Sequence, residues 1–130
     1  MSSLATHAAA PRARRVLIID DHQDTAESMA ACLRVAGHHV AVALDGLQGL
    51  QLAREFLPDV IICDIVLPNV DGYYVGRALQ TDPQFAGCYF VAVSGYEFRP
   101  ARAPQVFSEC LPKPIASDTL LAVMDRAQYH

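Results

Sequence analysis

The chain has 130 residues, of which 52 % are hydrophobic and 18 % are charged, so a single domain with one core is expected and a largely disordered chain is excluded. Residues 1–15 hold three of the basic side chains and no acidic one, which leaves 7 basic against 14 acidic side chains in the remainder. A folded body of that sign repels phosphate backbones, so we expect no nucleic-acid partner.

The cysteines and the apolar segments predict the compartment. Cys32, Cys63, Cys88 and Cys110 form neither a Cys-x-x-Cys pair nor a zinc-finger spacing, which favours reduced thiols in a cytoplasm. No segment reaches the roughly 18 apolar residues of a membrane span, and the first residues lack the apolar core of a signal peptide. We therefore predict a cytoplasmic protein that has no membrane segment.

In chain order, a flexible leader is predicted at residues 1–14 and a single domain at 15–130. Short apolar runs then alternate with amphipathic segments, which is the pattern of strands alternating with helices. The five predicted strands are residues 16–19, 40–43, 60–63, 89–93 and 109–111.

The first helix is predicted from an apolar face at positions i, i+3, i+4 and i+7, formed by Ala26, Met29, Ala30 and Leu33. Asp24 and Glu27 stand in capping-box positions at its start, and Gly37 is expected to end it.

Two later helices follow from similar signals. One is predicted over residues 72–80. The last is expected to have Ser117 as its N-terminal cap and to bury one apolar face, formed by Leu120, Leu121, Met124 and Ala127.

The central strands are apolar on both faces, which indicates a parallel sheet covered by helices on both sides, an open doubly wound α/β fold. Such sheets place their sites at the carboxyl ends of the strands. Polar residues occur there: the first strand ends in Asp20 and Asp21, the third in Asp64, the fourth in Ser94, and the fifth is followed by Lys113.

Three carboxylates at one edge of a sheet need a cation or protons. Two unit charges about 4 Å apart at an effective dielectric of about 20 repel by about 4 kcal/mol. Oxygen ligands of this kind suit Mg²⁺, whereas His22 and Cys63 adjoin the cleft without forming a ligand set. An aspartate beside a metal, a hydroxyl and an ammonium group can accept a phosphoryl group as an acyl phosphate.

Four segments resemble a known family: VLIIDDH at 16–22, PDVIICDIVLPNVDG at 58–72, VAVSG at 91–95 and LPKP at 111–114. Together they resemble the response-regulator receiver domains of two-component signalling, over about residues 15–128. The resemblance implies a five-stranded parallel sheet in the flavodoxin-like order 2-1-3-4-5.

The resemblance also implies the ligands of a Mg²⁺ ion. Asp64 matches the phosphoacceptor and a metal ligand, and Asp21 matches a direct ligand. Asp20 matches the acidic partner that acts through water. The backbone carbonyl of Val66 matches a further ligand.

Other positions match the groups around the phosphoryl site. Ser94 matches the hydroxyl that moves toward the phosphoryl group, Lys113 the ammonium that pairs with it, and Pro114 a proline that often follows a cis bond. Cys110 departs from the pattern, because the family usually has an aromatic or histidine switch three positions before the lysine. Tyr96 or Phe98 could replace part of that role.

The segment between Ser94 and Lys113 also departs from the pattern. It contains Pro100 and Pro104, which argue against a regular helix, so the fourth helix of the family is expected to be short, displaced or disordered. That helix belongs to the usual output and dimerisation face of the family, so a homodimer is left open.

The function that follows is Mg²⁺-dependent acceptance of a phosphoryl group at Asp64. The donor would be a sensor histidine kinase or a histidine phosphotransfer protein, and the product would act on a downstream protein. A stand-alone receiver and a module of a hybrid kinase both remain open. The alternative is a receiver-like interaction domain with atypical or phosphorylation-independent switching; a phosphatase or dinucleotide enzyme is disfavoured because the motifs of those enzymes are missing from the sequence.

Overall fold

The computed structural model describes residues 13–68, 70–95 and 106–127. Its five strands form one sheet in which every pairing is parallel and the order is β2-β1-β3-β4-β5. The strands are β1 (Arg15–Ile19), β2 (His39–Ala43), β3 (Val60–Asp64), β4 (Tyr89–Ser94) and β5 (Glu109–Pro112). The predicted doubly wound parallel sheet and its strand order are confirmed.

Four α-helices are described: α1 (Gln23–Val35), α2 (Gly46–Phe56), α3 (Gly72–Gln80) and α4 (Ser117–Ala127), together with a 3₁₀ turn at Pro83–Phe85. The prediction of a helix over residues 72–80 is confirmed by α3. The prediction for the segment between β4 and β5 falls on residues 96–105, which lie outside the described residues. The predicted leader falls there too, except for residues 13 and 14.

The core has two parts, one on each face of the sheet. Alternate residues of β1 point to opposite faces, so that Leu17 and Ile19 join one cluster and Val16 and Ile18 join the other. Buried residues of α2 and α3 belong to the first cluster, and those of α1 and α4 belong to the second. This burial on both faces explains why the strands are continuous apolar runs.

The start of α1 differs from the prediction. The helix begins at Gln23 with His22 as its N-cap, and Asp24 lies in its first turn, so the capping box at Asp24 and Glu27 is wrong. The first helical bond forms earlier, because the His22 carbonyl accepts from the Ala26 N–H at 3.0 Å. Gly37 follows the helix with φ of 101°, a conformation that glycine adopts readily, which confirms its role in ending the helix.

The apolar face of α4 also needs a correction. Ser117 is the first helical residue and not the cap, since the carbonyl of Ala116 accepts from the Leu120 N–H. Leu121 is 37 % exposed, and Val123 is fully buried in its place. The buried face is therefore Leu120, Val123, Met124 and Ala127, which keeps the i, i+3, i+4, i+7 spacing.

The start of α3 fixes the loop beside the carboxyl end of β3. A Cβ atom on Gly72 would lie 2.4 Å from the carbonyl oxygen of Asp64 and 2.8 Å from the Cα of Ile65, so only glycine fits there. The Gly72 N–H donates to the Ile65 carbonyl at 2.8 Å, and Asp71 caps the helix by accepting from the Tyr74 N–H. The backbone just after Asp64 is thereby held against the first turn of α3.

Candidate functional site

Five polar residues lie at the carboxyl edge of the sheet, as predicted for a parallel sheet. Asp20 and Asp21 directly follow β1, Asp64 is the last residue of β3, Ser94 is the last residue of β4, and Lys113 directly follows β5. Four separate strands thus bring acidic, hydroxyl and ammonium groups to one edge.

Lys113 joins two of the carboxylates. Its Nζ lies 2.7 Å from Oδ2 of Asp64 and 3.3 Å from Oδ2 of Asp20. Both aspartates are nearly buried, with 5 % and 2 % of their surfaces exposed, while the Lys113 side chain is 25 % exposed. The ammonium group of Lys113, which follows the carboxyl end of β5, therefore links the carboxylates at the ends of β1 and β3.

Burial and charge shift the protonation of this pair. Burial raises the pKa of Asp64 above its ordinary value, and the charge of Asp20 adds to the rise, while the hydrogen bond and charge of Lys113 oppose it. Burial lowers the pKa of Lys113, but its bonds and charge interactions with Asp64 and Asp20 raise it more. The lysine consequently stays an ammonium group at neutral pH.

Backbone N–H groups hold the remaining carboxylate oxygens. The Val66 N–H donates to Oδ1 of Asp64 at 3.2 Å, and the His22 N–H donates to Oδ1 of Asp20 at 2.9 Å. Each buried carboxylate is thus oriented by one backbone donor and by Lys113. The Val66 side chain is 72 % exposed, and the role of its carbonyl as a metal ligand stays a prediction.

Ser94 is buried, and its backbone is hydrogen-bonded to that of Lys113. Its carbonyl accepts from the Lys113 N–H at 2.7 Å, and its register partner on β5 is Pro112. The bond between Lys113 and Pro114 is cis, as the resemblance implies. The proposed contact between the Ser94 hydroxyl and a phosphoryl group stays a prediction.

Two cysteines near the site differ in burial. Cys63 is fully buried and burial strongly raises the pKa of its thiol, which agrees with its interpretation as a small core residue. Cys110 is half-buried on β5, where burial and the charge of Glu109 raise the pKa of its thiol and disfavour a reactive thiolate. Tyr96 and Phe98, the suggested replacements for the aromatic switch, lie outside the described residues.

Four side chains at this edge could hold a metal ion. One ligand atom from each of Asp20, Asp21, His22 and Asp64 lies within 4.8 Å of the others. Three carboxylates beside a single ammonium leave an excess of negative charge, and carboxylate oxygens are the donors that Mg²⁺ takes up. The donor set therefore fits a divalent cation.

The sequence predicts that His22 adjoins the cleft without joining a ligand set, whereas the structure places its Nδ1 3.3 Å from both Asp20 Oδ1 and Asp21 Oδ1. The available signal was its position directly after the acidic pair at a strand end.

Comparison with known proteins assigns the family. The family model described as "Response regulator receiver domain" matches residues 16–125. The chain belongs to this family. A receiver domain is a signalling phosphoacceptor of two-component systems and not a classical enzyme, and it implies a cognate histidine kinase as a partner.

The receiver has relatives of two kinds. It is 37 % identical over 109 residues to the transcriptional regulatory protein PrrA of Mycobacterium tuberculosis, which covers 83 % of this chain and 47 % of PrrA. It is 31 % identical over 114 residues to protein PilH of Pseudomonas aeruginosa, which covers 85 % of this chain and 94 % of PilH. The chain thus spans about half the length of PrrA and nearly all of PilH.

Solved structures agree with the receiver fold. The chemotaxis response regulator CheY4 of Vibrio cholerae superimposes with a TM-score of 0.80 at 26 % identity, covering 89 % of this chain and 99 % of CheY4. Among the helices of the described ranges, none combines the length and apolarity needed to cross a membrane.

Proposed function

We propose that this receiver acts in the cytoplasm and accepts a phosphoryl group on Asp64 from the phosphohistidine of a sensor histidine kinase or a histidine phosphotransfer protein. The supporting observation is the 2.7 Å contact between Asp64 and Lys113 at the carboxyl edge, with two more carboxylates beside it. The transfer would shift the conformation of the domain and its binding to a downstream protein.

The chain's own residues account for the transfer. A carboxylate oxygen of Asp64 attacks phosphorus, and the bond between phosphorus and the histidine nitrogen breaks, leaving its electron pair on the imidazole. The Val66 N–H and Lys113 orient the attacking carboxylate beforehand. Lys113 then pairs with an oxygen of the phosphoryl group and Ser94 donates a hydrogen bond to another.

A bound Mg²⁺ ion would offset the negative charge of the phosphoryl oxygens. Asp21 and Asp64 would hold it directly, Asp20 through water, and the Val66 carbonyl would complete the set. Asp21 suits this role because its side chain is 35 % exposed, and so remains open to a cation and its waters.

The test is phosphoryl gain measured by intact mass. The full chain is incubated with a small phosphodonor, with and without Mg²⁺, and the experiment is repeated with a cognate kinase. We expect the wild type to gain the mass of one phosphoryl group only with Mg²⁺, and Asp64→Asn to gain none.

Asp125→Asn is the matched control, because Asp125 is an exposed carboxylate on α4 and its substitution is also Asp to Asn. It should gain the phosphoryl group as the wild type does. No gain in the wild type from either donor would contradict the proposal, and so would an equal gain in Asp64→Asn.

A second candidate function rests on Cys110. Where the family usually carries an aromatic switch, this chain has a small half-buried thiol. An interaction domain that keeps the site but switches poorly would gain the phosphoryl group without changing amide exchange over residues 94–112. A change in that exchange would instead support phosphorylation-driven switching.

A further inference from the structure

The imidazole of His22 stands at the side of the carboxylate cluster. Its Nδ1 lies 3.3 Å from Oδ1 of Asp20 and 3.3 Å from Oδ1 of Asp21. The backbone of His22 is fixed on both sides, since its N–H donates to Asp20 and its carbonyl accepts from Ala26. The ring itself is 67 % exposed and so open to an ion from solvent.

These separations match those between neighbouring ligands of one metal ion. Ligands about 2.1 Å from an octahedral metal and at right angles to each other lie about 3 Å apart. The 3.3 Å separations around Nδ1 are close to this value. Asp64 also offers an oxygen within 4.8 Å of the three other ligand atoms.

The ammonium and the imidazole do not compete for the same oxygen. Lys113 contacts Oδ2 of Asp20, whereas His22 faces Oδ1 of the same carboxylate. An ion held directly by Asp20, Asp21 and His22, and not through water at Asp20 as for Mg²⁺, would therefore leave the lysine contacts in place. The cluster has one side occupied by the ammonium and another side with mixed oxygen and nitrogen donors.

We propose that this metal site is a mixed oxygen and nitrogen site in which His22 Nδ1 is a ligand, so that Zn²⁺, Co²⁺ and Ni²⁺ bind there more tightly than Mg²⁺. Imidazole suits these borderline metals, whereas a site made only of carboxylates and carbonyls suits Mg²⁺. The inference rests on the proposed metal site and adds to it the residue that determines metal specificity.

The test measures metal affinity directly. Tag-free full-length protein is titrated calorimetrically with Zn²⁺ and, separately, with Mg²⁺, for the wild type, His22→Asn and His39→Asn. His39 is the matched control, because it is exposed and lies at the amino-terminal end of β2, the end of the strands that is opposite to the site. Buried Cys63 and Cys88 do not supply thiolate ligands, since burial raises the pKa of both thiols.

Mutating a residue that only supports a metal ligand typically costs about 10- to 100-fold in metal affinity. Because His22 is proposed as a direct ligand, His22→Asn should bind Zn²⁺ at least about tenfold more weakly than the wild type. Mg²⁺ binding should change by less than about twofold, and His39→Asn should match the wild type for both metals. With Co²⁺, the wild type should show paramagnetically shifted ring-proton signals of His22 that are missing from His22→Asn.

Two results would overturn the inference. An unchanged Zn²⁺ affinity in His22→Asn would mean that the ring is not a ligand, and an equal loss for both metals would mean that it only positions Asp20 and Asp21. The failure of the proposed function is separable, because phosphoryl gain at Asp64 in Mg²⁺ is measured by mass, without Zn²⁺, and is expected to persist in His22→Asn.

Discussion

Lys113 is the only lysine in a chain that has nine arginines, and it lies between two buried carboxylates. A compact ammonium fits between two oxygens 2.7 and 3.3 Å away. The planar guanidinium of arginine is larger and donates in a fixed fork, so it cannot occupy the same position between these oxygens.

We therefore expect Lys113→Arg to fold and to bind Mg²⁺ but to lose phosphorylation-driven switching. Thermal unfolding and Mg²⁺ titration should resemble the wild type, whereas the phosphodonor should no longer change amide exchange over residues 94–112. Arg54→Lys, an exposed change on α2, is the control and should switch normally. Unaltered switching in Lys113→Arg would remove the argument for a compact ammonium.

His38 shows a second effect of burial on a single residue. Its Nδ1 accepts the Arg14 N–H at 2.9 Å, a bond that the protonated ring cannot accept. Burial lowers its pKa below the ordinary 6.5, and the charges of Arg14 and His39 add to this effect. The unfolded chain therefore binds the proton first as the pH falls.

The free energy of unfolding should consequently decrease as the pH falls below 6.5 and level off below the lowered pKa of folded His38. His38→Asn keeps an acceptor near the Nδ1 position but cannot titrate, so it should lose this part of the pH dependence. Urea unfolding of both proteins between about pH 7 and pH 5 measures the difference. Equal slopes in the wild type and in His38→Asn would contradict the assignment.

The sequence was sufficient to predict which residues form the site, but not which atoms they contact. Asp20, Asp21, Asp64 and Lys113 were found because parallel strands place their carboxyl ends at one edge. Which oxygen Lys113 contacts depends on rotamers and on the loop after β5. His38 is buried and its ring accepts the backbone N–H of Arg14, a long-range bond that the local sequence pattern does not encode.

Among the secondary-structure elements, the connection from α1 to β2 depends on one backbone conformation. Gly37 has φ of 101°, and a Cβ atom there would meet nothing within 4 Å, so any cost of a side chain is a backbone cost. Gly87 also has open space around it but no positive φ of this kind. Because neither position is crowded, comparing the two glycines isolates the cost of the backbone conformation at Gly37.

Gly37→Ala should lower the free energy of unfolding by about 1–2 kcal/mol, which is the cost of a left-handed conformation for an L-residue. Gly87→Ala should leave it unchanged or slightly higher, because alanine reduces the freedom of the unfolded chain. Urea unfolding of both variants is the measurement. Equal effects of the two substitutions would show that the conformation at Gly37 carries no special cost.

Element boundaries were less predictable than element types. Each predicted strand has its counterpart in the sheet, and burial on both faces leaves continuous apolar runs in the three central strands. The start of α1 was misplaced because Asp20, two residues before the cap, accepts the His22 N–H and fixes the entry of the chain. Such a bond is set by the burial of Asp20, which the capping-box pattern does not contain.

For the whole molecule, the repulsion among the carboxylates of Asp20, Asp21 and Asp64 lowers the free energy of unfolding as long as no cation is bound. Three carboxylates face one ammonium and repel one another, and a ligand that binds only the folded state adds stability by mass action. Removing one carboxylate should therefore raise the free energy of unfolding, relative to the wild type, without Mg²⁺ and lower it when Mg²⁺ is bound.

Without divalent cations, Asp21→Asn should unfold at a higher urea concentration than the wild type, because one repelling charge is gone. With Mg²⁺ at 100 times its Kd, the wild type should gain about 2.7 kcal/mol, and the variant, which binds the ion more weakly, should gain less. Asp125→Asn should follow the wild type in both conditions. If Asp21→Asn were less stable than the wild type in both conditions, charge repulsion would not be the cause.

The different burial of the four thiols allows local opening of the sheet to be measured by thiol labelling. Cys63 and Cys88 are buried, whereas Cys32 and Cys110 are half-exposed. An alkylating reagent will therefore reach the second pair in the folded protein, with Cys110 reacting slowly because the pKa of its thiol is raised, and the first pair only when the protein opens locally. Because Cys63 immediately precedes Asp64, its labelling rate measures how often the strand beneath the site opens, without any attached probe. Ligands that bind at Asp64 only in the closed state will slow that rate by the factor by which they lower the open population.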